Sequence, residues 1–425
     1  MNIIYTIYHK VSGVWIVKWL TKVYRNGFFI SNFIADRKLR KVVELQKKDK
    51  KDTIKVVFLC QYVAAWSKVE PVYKKMVEDT KFEVYIISIY DNICGFKEEE
   101  TYKYILGLGY KNIIRVRDEK EVYDIRSLNP QYVFYQRPYD RYLPKQYQSK
   151  EVSKYAKIFH IPYGYLLTKT SKDICMTKLF FRNVYLYLAE NELCAEYNIE
   201  RFKYSHHKGY RKTVNLGYPA IEDFMNKKDE CASDSKEMKI LWTPRWSDSK
   251  EAGGSNFLCF KDKIVSLVKN NNDFSLVFRP HPLTFAHFIS ENKITEKEKD
   301  EYIGIYAKNK NMYYDTSEDY SKIFWNVDVL LTDPSSIIVD FFLTGKPIIY
   351  CDTGMIPDKV FEKMIEVMYV VKNWDEAEKV IMKLKNGEDN LLEIRKRRIK
   401  ELFGENFNHI SSNIVNYIKK DYFEK

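Results

Sequence analysis

Three short polar clusters in the second half of the chain carry the residue types that handle phosphate. Asp333-Pro334-Ser335-Ser336 stands between an apolar strand, Val327 to Leu331, and a helix that leads to another apolar strand, Pro347 to Tyr350. Such a turn aims hydroxyls and unpaired backbone N–H groups out of a helix N-terminus, where a parallel α/β sheet holds phosphate. Ser and Asp are also ordinary N-cap residues, so this turn alone leaves a structural reading open. Trp242-Thr243-Pro244-Arg245-Trp246 follows a strand that starts at Lys239 and offers Trp242, Thr243 and Arg245 to the nucleotide side of a donor. Arg279-Pro280-His281-Pro282 ends a third strand, Ser275 to Phe278, with His281 held stiffly between two prolines. All three clusters lie at the C-terminal end of a strand, the edge where open α/β sheets bind ligands.

His160 closes an apolar strand in the first half of the chain, at the predicted C-terminal edge, where it could face a cleft and accept a proton. A satisfied structural histidine is the competing reading. His206 and His207 are adjacent, so their side chains diverge, and no carboxylate or thiol cluster surrounds them. They read as a solvated or acceptor-facing pair and not as a metal site. No Asp-x-Asp follows a strand to hold a divalent ion, so the basic groups are expected to neutralise a diphosphate without an obligatory metal or other cofactor.

The elements that position these residues alternate between two periods. Strand-like runs at 54–59, 82–87, 112–116, 132–135, 156–160 and 184–188 are mostly separated by stretches long enough for crossover helices, which calls for a parallel sheet. A second series runs through Ile240, Leu276 to Phe278, Met312 to Tyr314, Val327 to Leu331 and Pro347 to Tyr350. Between them, residues 225–237 are polar and poor in apolar side chains, the best linker candidate. The expected fold class is therefore α/β, with two Rossmann-like lobes, a cleft between them, and an N-terminal amphipathic helical extension. The expected divisions are a basic extension over 1–52, an acceptor-binding lobe over 53–224, a nucleotide-donor lobe over 238–390, and C-terminal helices over 391–425 that pack back across the lobes.

At 425 residues and 45% hydrophobic, the chain can fill two cores. The seven cysteines are far apart and lack metal or redox spacing, so reduced thiols are expected. No run of 18 uncharged apolar residues and no signal-peptide pattern occurs, which predicts a chain that stays in the cytoplasm. Lys plus Arg minus Asp plus Glu is 70 − 58 = +12, a surplus that implies an anionic partner without identifying it. Ile16, Trp19, Leu20 and Val23 fall at i, i+3, i+4 and i+7, with Lys18, Lys22 and Arg25 opposite; a basic stretch from Arg37 to Lys51 follows. That pattern suits adsorption to an anionic membrane leaflet, against the plainer reading of a packed helix beside a solvated linker.

Together these segments resemble the CDP-glycerol glycerophosphotransferase family, the teichoic-acid primases and polymerases of glycosyltransferase-B-like (GT-B) architecture. The residues that carry the resemblance are Trp242-Thr243-Pro244-Arg245-Trp246, Arg279-Pro280-His281-Pro282, Asp333-Pro334-Ser335-Ser336 followed by Asp340, and Leu216-Gly217-Tyr218-Pro219-Ala220 with Asp223 at the junction of the lobes. Two departures are visible: the family's N-lobe Trp-His-Gly-Thr-Pro appears as Phe159-His160-Ile161-Pro162-Tyr163-Gly164, and Pro334 stands where the family has Tyr. The resemblance implies transfer of a glycerol phosphate or similar unit from a CDP-linked donor to a lipid-linked glycan or polyol-phosphate acceptor, with release of CMP, at the inner face of the cell membrane. It implies catalytic roles for His160 and His281, and donor contacts from Arg279, Asp333, Ser335, Ser336, Thr243, Arg245 and Trp242. Three alternatives stay open: a GT-B glycosyltransferase using a UDP- or CMP-sugar, a catalytically inactive family member, and a nucleic-acid-binding protein. The last is disfavoured because no RNA or DNA module is visible and the 34 tyrosines are spread through core and rim positions.

Overall fold

The computed structural model describes residues 29–61, 63–90, 98–228, 237–249, 253–317, 320–404 and 407–424. They form two compact units. The first takes the chain up to Gly164, Thr170–Ala220 and the segment from His409 onward; the second takes Tyr165–Lys169 and Ile221–Asn408.

The first unit is built on a seven-stranded sheet: β1 (Ile54–Cys60), β2 (Phe82–Ile89), β3 (Ile113–Val116), β4 (Tyr132–Tyr135), β5 (Lys157–His160), β6 (Leu186–Leu188) and β7 (Lys212–Val214). Their order across the sheet is β3-β2-β1-β4-β5-β6-β7, and every pairing is parallel. Both faces of a parallel sheet are covered, so the central strands read as continuous apolar runs; Val56, Val57, Phe58, Val133 and Phe134 are fully buried. Phe58 stacks on Phe134 with ring centroids 4.3 Å apart and meets Trp66 and Tyr73 edge-on.

Two terminal helices complete this unit. The helix Phe29–Lys48 buries Ala35, Leu39 and Val42 at i, i+4 and i+7. Its Asp36 accepts from Arg211 at 2.8 Å and from Ser205 at 2.5 Å. Arg37, Lys38, Arg40, Lys41, Lys47 and Lys48 therefore ride on a packed helix, where the sequence suggested a separate extension; Ile16 to Arg25 lie outside the described residues. At the other end, the helix Ile410–Phe423 buries Ile414, Val415 and Ile418 in the same unit. Leu392–Phe403 belongs to the second unit, so the C-terminal helices are divided between the two.

The second unit carries β8 (Met238–Thr243), β9 (Phe274–Phe278), β10 (Met312–Tyr314), β11 (Val329–Thr332), β12 (Ile348–Cys351) and β13 (Tyr369–Val371), ordered β10-β9-β8-β11-β12-β13 and wholly parallel. This is the doubly wound order, with its direction of winding reversing between β8 and β11. The core is aromatic: Phe278 lies against Trp242, Phe257, Tyr302 and Tyr306. β7 and β13, absent from the sequence reading, are three-residue edge strands that bury little and so leave no apolar run to notice. Among the described residues no helix is long and apolar enough to cross a membrane.

Candidate functional site

Strands β9, β8 and β11 are neighbours in the second sheet, with Trp242 beside both Phe278 and Leu331 and Thr332 beside Thr243. Because all three run the same way, the turns after Thr243, Phe278 and Thr332 leave from one edge, at the point where the winding reverses. The topology thus brings together the three polar clusters at the place such sheets keep for ligands.

Asp333 holds this edge together. Its Oδ2 accepts from the Arg245 backbone N–H at 2.8 Å, the Ser255 hydroxyl at 3.1 Å and the Asn256 backbone N–H at 3.1 Å, and its Oδ1 accepts from Asn256 Nδ2 at 3.0 Å. The side chain is 2% exposed, and burial raises its pKa against those hydrogen bonds. The expectation that Asp333 contacts phosphate is therefore corrected: its oxygens are occupied by the turn after β8, and an anionic carboxylate would repel a diphosphate.

Arg245 is, with Arg279, one of two guanidinium cations at this edge. Its Nη1 donates to the Pro334 carbonyl at 2.5 Å, which ties the β8 turn to the β11 turn. Burial lowers its pKa while the Asp333 charge works in the other direction. Gly253 makes room for it, since a Cβ there would stand 3.0 Å from Arg245 Nε and 2.5 Å from the Met355 sulfur; its φ of +99° also favours glycine. Ser335 is half-buried and Ser336 exposed. Among the described residues neither hydroxyl has a hydrogen-bond partner, nor do the N–H groups of Ser336 and Ile337, which open the helix Ile337–Phe342. These are free donors beside the Arg245 anchor.

His281 is exposed, and its Nδ1 accepts from the Leu283 N–H at 3.1 Å. The neutral ring then carries its proton on Nε2, leaving that N–H as a donor. Surrounding protein and the Arg245 charge both hold its pKa below the ordinary histidine value, which keeps the ring neutral near pH 7. Arg279 is half-buried and engaged: its Nη1 donates to Asp315 and, at 3.3 Å, to the Ser317 hydroxyl, and its guanidinium lies 5.1 Å from the Tyr320 ring centre. Tyr320 in turn donates to Asp340 at 2.5 Å. Arg279 is thus oriented by a carboxylate and an aromatic face.

Two further expectations are corrected. Trp242 is 1% exposed, lying between Phe257 and Phe278, so it supports the core and offers nothing to a base. Thr243 is 4% exposed and donates to the Thr332 hydroxyl at 2.7 Å across the two strands, a bond between turns that leaves it no reach toward a nucleotide. Trp246, half-buried and edge-on to His287, is the aromatic of this turn that keeps open surface.

In the first unit, His160 ends β5 as expected but does not stand open. Only 2% of it is exposed, with Phe180, Phe181 and Tyr187 packed around the ring. Its Nδ1 lies 2.9 Å from the Tyr135 carbonyl, which fixes the proton on Nδ1 and the lone pair on Nε2. Burial pushes its pKa down to about 4, against the effect of that hydrogen bond. His206 approaches the Thr213 hydroxyl at 3.3 Å, and no cluster of metal-ligating side chains occurs among the described residues.

Sequence reasoning passed over Ser255, Asn256, Gly253, Asp315 and Tyr320. Gly253-Gly254-Ser255-Asn256 just before an apolar helical run, Phe257–Lys269, was the available signal. Asp315 and Tyr320 had none, since only the fold brings them to Arg279.

Comparison with known proteins follows the same segment. Residues 187–381 match the family described as CDP-Glycerol:Poly(glycerophosphate) glycerophosphotransferase. The chain is 26% identical over 208 residues to the teichoic acid poly(glycerol phosphate) polymerase of Bacillus spizizenii, across 40% of this chain and 48% of that protein. It is 27% identical over 109 residues to the minor teichoic acid biosynthesis protein GgaB of Bacillus subtilis, across 26% of this chain and 10% of that protein. It thus spans less than half the length of these curated relatives. Among solved structures, the wall teichoic acid polymerase TagF superposes with a TM-score of 0.54 at 16% identity, over 94% of this chain and 99% of that one. A UDP-GlcNAc 2-epimerase from Neisseria meningitidis superposes with a TM-score of 0.60 at 13% identity, over 86% and 100%. At these identities both likenesses show the two-sheet α/β fold alone. Residues 187–381, the segment that matches this family, include β8, β9 and β11 and the turns that follow them.

Proposed function

We propose that this protein moves a polyol-phosphate unit, glycerol phosphate or similar, from a CDP-linked donor to a hydroxyl of a membrane-linked cell-wall or capsule glycan, releasing CMP. The observation that carries the reading is the edge of the second unit where Arg245, His281, Ser335 and Ser336 are gathered by three adjacent parallel strands within the family-matched segment.

In the reaction, the acceptor oxygen attacks the β-phosphorus of the donor. A new phosphorus–oxygen bond forms as the bond to the bridging oxygen breaks, CMP departs with that oxygen, and the acceptor's proton passes to a base. Little covalent chemistry is asked of the protein, so positioning and charge stabilisation dominate. The hydroxyls of Ser335 and Ser336 and the N–H groups beside them would donate to the phosphates, Arg245 would supply fixed positive charge, and the neutral His281 would donate from Nε2. Arg279, oriented by Asp315 and Tyr320, would add a second guanidinium. The expectation that His160 accepts the proton is corrected: its ring is 2% exposed and enclosed by Phe180, Phe181 and Tyr187, so it serves the packing of the first unit. The exposed Phe33, Ile34 and Leu45 beside the basic residues of the helix Phe29–Lys48 support a place at the inner, anionic face of the cell membrane.

The test is incubation of purified protein with CDP-glycerol and a lipid-linked acceptor, followed by mass analysis. The reading expects one glycerol phosphate added per CMP formed. Transfer of a phosphorus-free sugar from a UDP-sugar, with no CMP from CDP-glycerol, would overturn it.

A further inference from the structure

At the opposite end of the first unit's own sheet lies a cavity of about 260 Å³ that the proposed transfer does not use. Its walls come from the N-terminal starts of strands and from the two terminal helices of the chain: Lys157 opens β5, Tyr185 precedes β6, Lys212 opens β7, Lys47 lies on the helix Phe29–Lys48, and Lys420 and Asp421 lie on the helix Ile410–Phe423. Ligands of a parallel sheet ordinarily gather at the other edge, so this is not an extension of the site above.

The charges in this cavity do not balance internally. Lys157 and Lys212 converge on one carboxylate, Asp421, at 2.9 and 2.5 Å. Asp421 has no capacity left over, because Tyr185 also donates to Oδ1 at 2.7 Å and Tyr132 to Oδ2. Its pKa is held at about 2 by those lysines and hydrogen bonds in spite of burial, so it counts as one full negative charge. Lys212 spends a single side-chain hydrogen bond there and has further N–H groups to offer. At the rim, Lys47 and Lys420 are exposed and have no ion-pair partner among the described residues. Four lysines therefore face two carboxylates, Asp421 and Glu424, which leaves the cavity short of negative charge. Lys47 and Lys420 are exposed and bear no burial cost, but they leave the mouth of the cavity with a net positive charge, which attracts an anion. The wall also holds unused acceptors: Gln46 Oε1 is buried without a partner, and the Glu424 carboxylate stands at the mouth.

We infer that this cavity is a second binding site, for a small phosphate ester that carries hydroxyl groups. The phosphate would be held by Lys212, Lys47 and Lys420, and a hydroxyl of the same molecule would donate to Gln46. A bare phosphate would satisfy the lysines and leave that acceptor and much of the volume unused.

Isothermal titration of the intact protein separates the possibilities, with glycerol 3-phosphate, inorganic phosphate and glycerol as probes. The expectation is saturable binding of glycerol 3-phosphate, weaker binding of inorganic phosphate, and none of glycerol. Lys47→Gln combined with Lys420→Gln lies on the exposed rim and leaves the Lys157–Asp421–Lys212 cluster intact; it should weaken glycerol 3-phosphate by about tenfold or more, as for loss of charge-assisted hydrogen bonds. CDP-glycerol affinity should not change in that variant, which separates this site from the donor edge. Absence of saturable binding by either phosphate, or unchanged affinity in the double variant, overturns the inference. Equal affinity for the two phosphates overturns the part assigned to Gln46.

Discussion

Replacing Asp333 with alanine distinguishes an organiser of the donor edge from a direct phosphate ligand. The carboxylate accepts four hydrogen bonds, at 2.8 to 3.1 Å, from Arg245, Ser255 and Asn256. Each bond to a charged acceptor contributes ~1.5–3 kcal/mol, but the four share one group, and removing that group also removes the cost of burying its charge. A net loss of about 3 kcal/mol is the resulting expectation, with several buried donors left unpaired. In a unit of this size that lowers the melting temperature by roughly 6–12 °C. Because the Arg245 backbone is one of the donors, the same change should loosen the guanidinium from Pro334 and weaken CDP-glycerol binding as well. Asp333→Asn, which keeps an acceptor but turns an amide toward the donors, should fall between. Differential scanning calorimetry and titration with CDP-glycerol read both effects. A variant with wild-type melting and wild-type donor affinity would refute the reasoning, and one that melts normally but no longer binds donor would make Asp333 a ligand after all.

Other expectations are independent of that one. Asp421→Ala strands Lys157 in the first unit's interior, a change worth ~3–5 kcal/mol, and thermal melting should show it. His160 has a folded pKa of about 4 against 6.5 unfolded, so the unfolded chain binds the extra proton; its contribution is whole above pH 6.5 and is lost as pH falls toward 4. That amounts to about 3 kcal/mol, and the difference in stability between wild type and His160→Gln should change across this window; a constant difference would show the ring is not held neutral. Activity should persist in EDTA; loss restored by Mg²⁺ would contradict the metal-independent reading.

The two sheets were legible because their central strands are buried on both faces and so appear as mostly apolar runs, as in Val56 to Cys60 and Val329 to Leu331. The edge strands Lys212–Val214 and Tyr369–Val371 lack that signal. For the site, the strand-end positions of Arg245, His281, Ser335 and Ser336 followed from the turn chemistry. What spacing could not show is which side of the backbone each neighbour faces. Trp242 and Thr243 lie three and two residues before Arg245, but they are the last residues of a buried strand, and both point into packing. Asp333 looked like part of the phosphate turn because nothing in the sequence joins it to Asn256. The same holds for His160, whose aromatic cage includes Phe180 and Phe181 from a separate short helix.

On the proposed function, the edge formed after β8, β9 and β11 holds the diphosphate of a CDP-linked donor. Titration of CDP-glycerol into wild type, into Ser335→Ala with Ser336→Ala, and into His281→Ala tests it most directly, since all three side chains have open surface and their loss leaves the core intact. Wild type should bind CDP-glycerol, and its affinity should weaken about tenfold or more in each variant. Affinity that stays the same in both would contradict it.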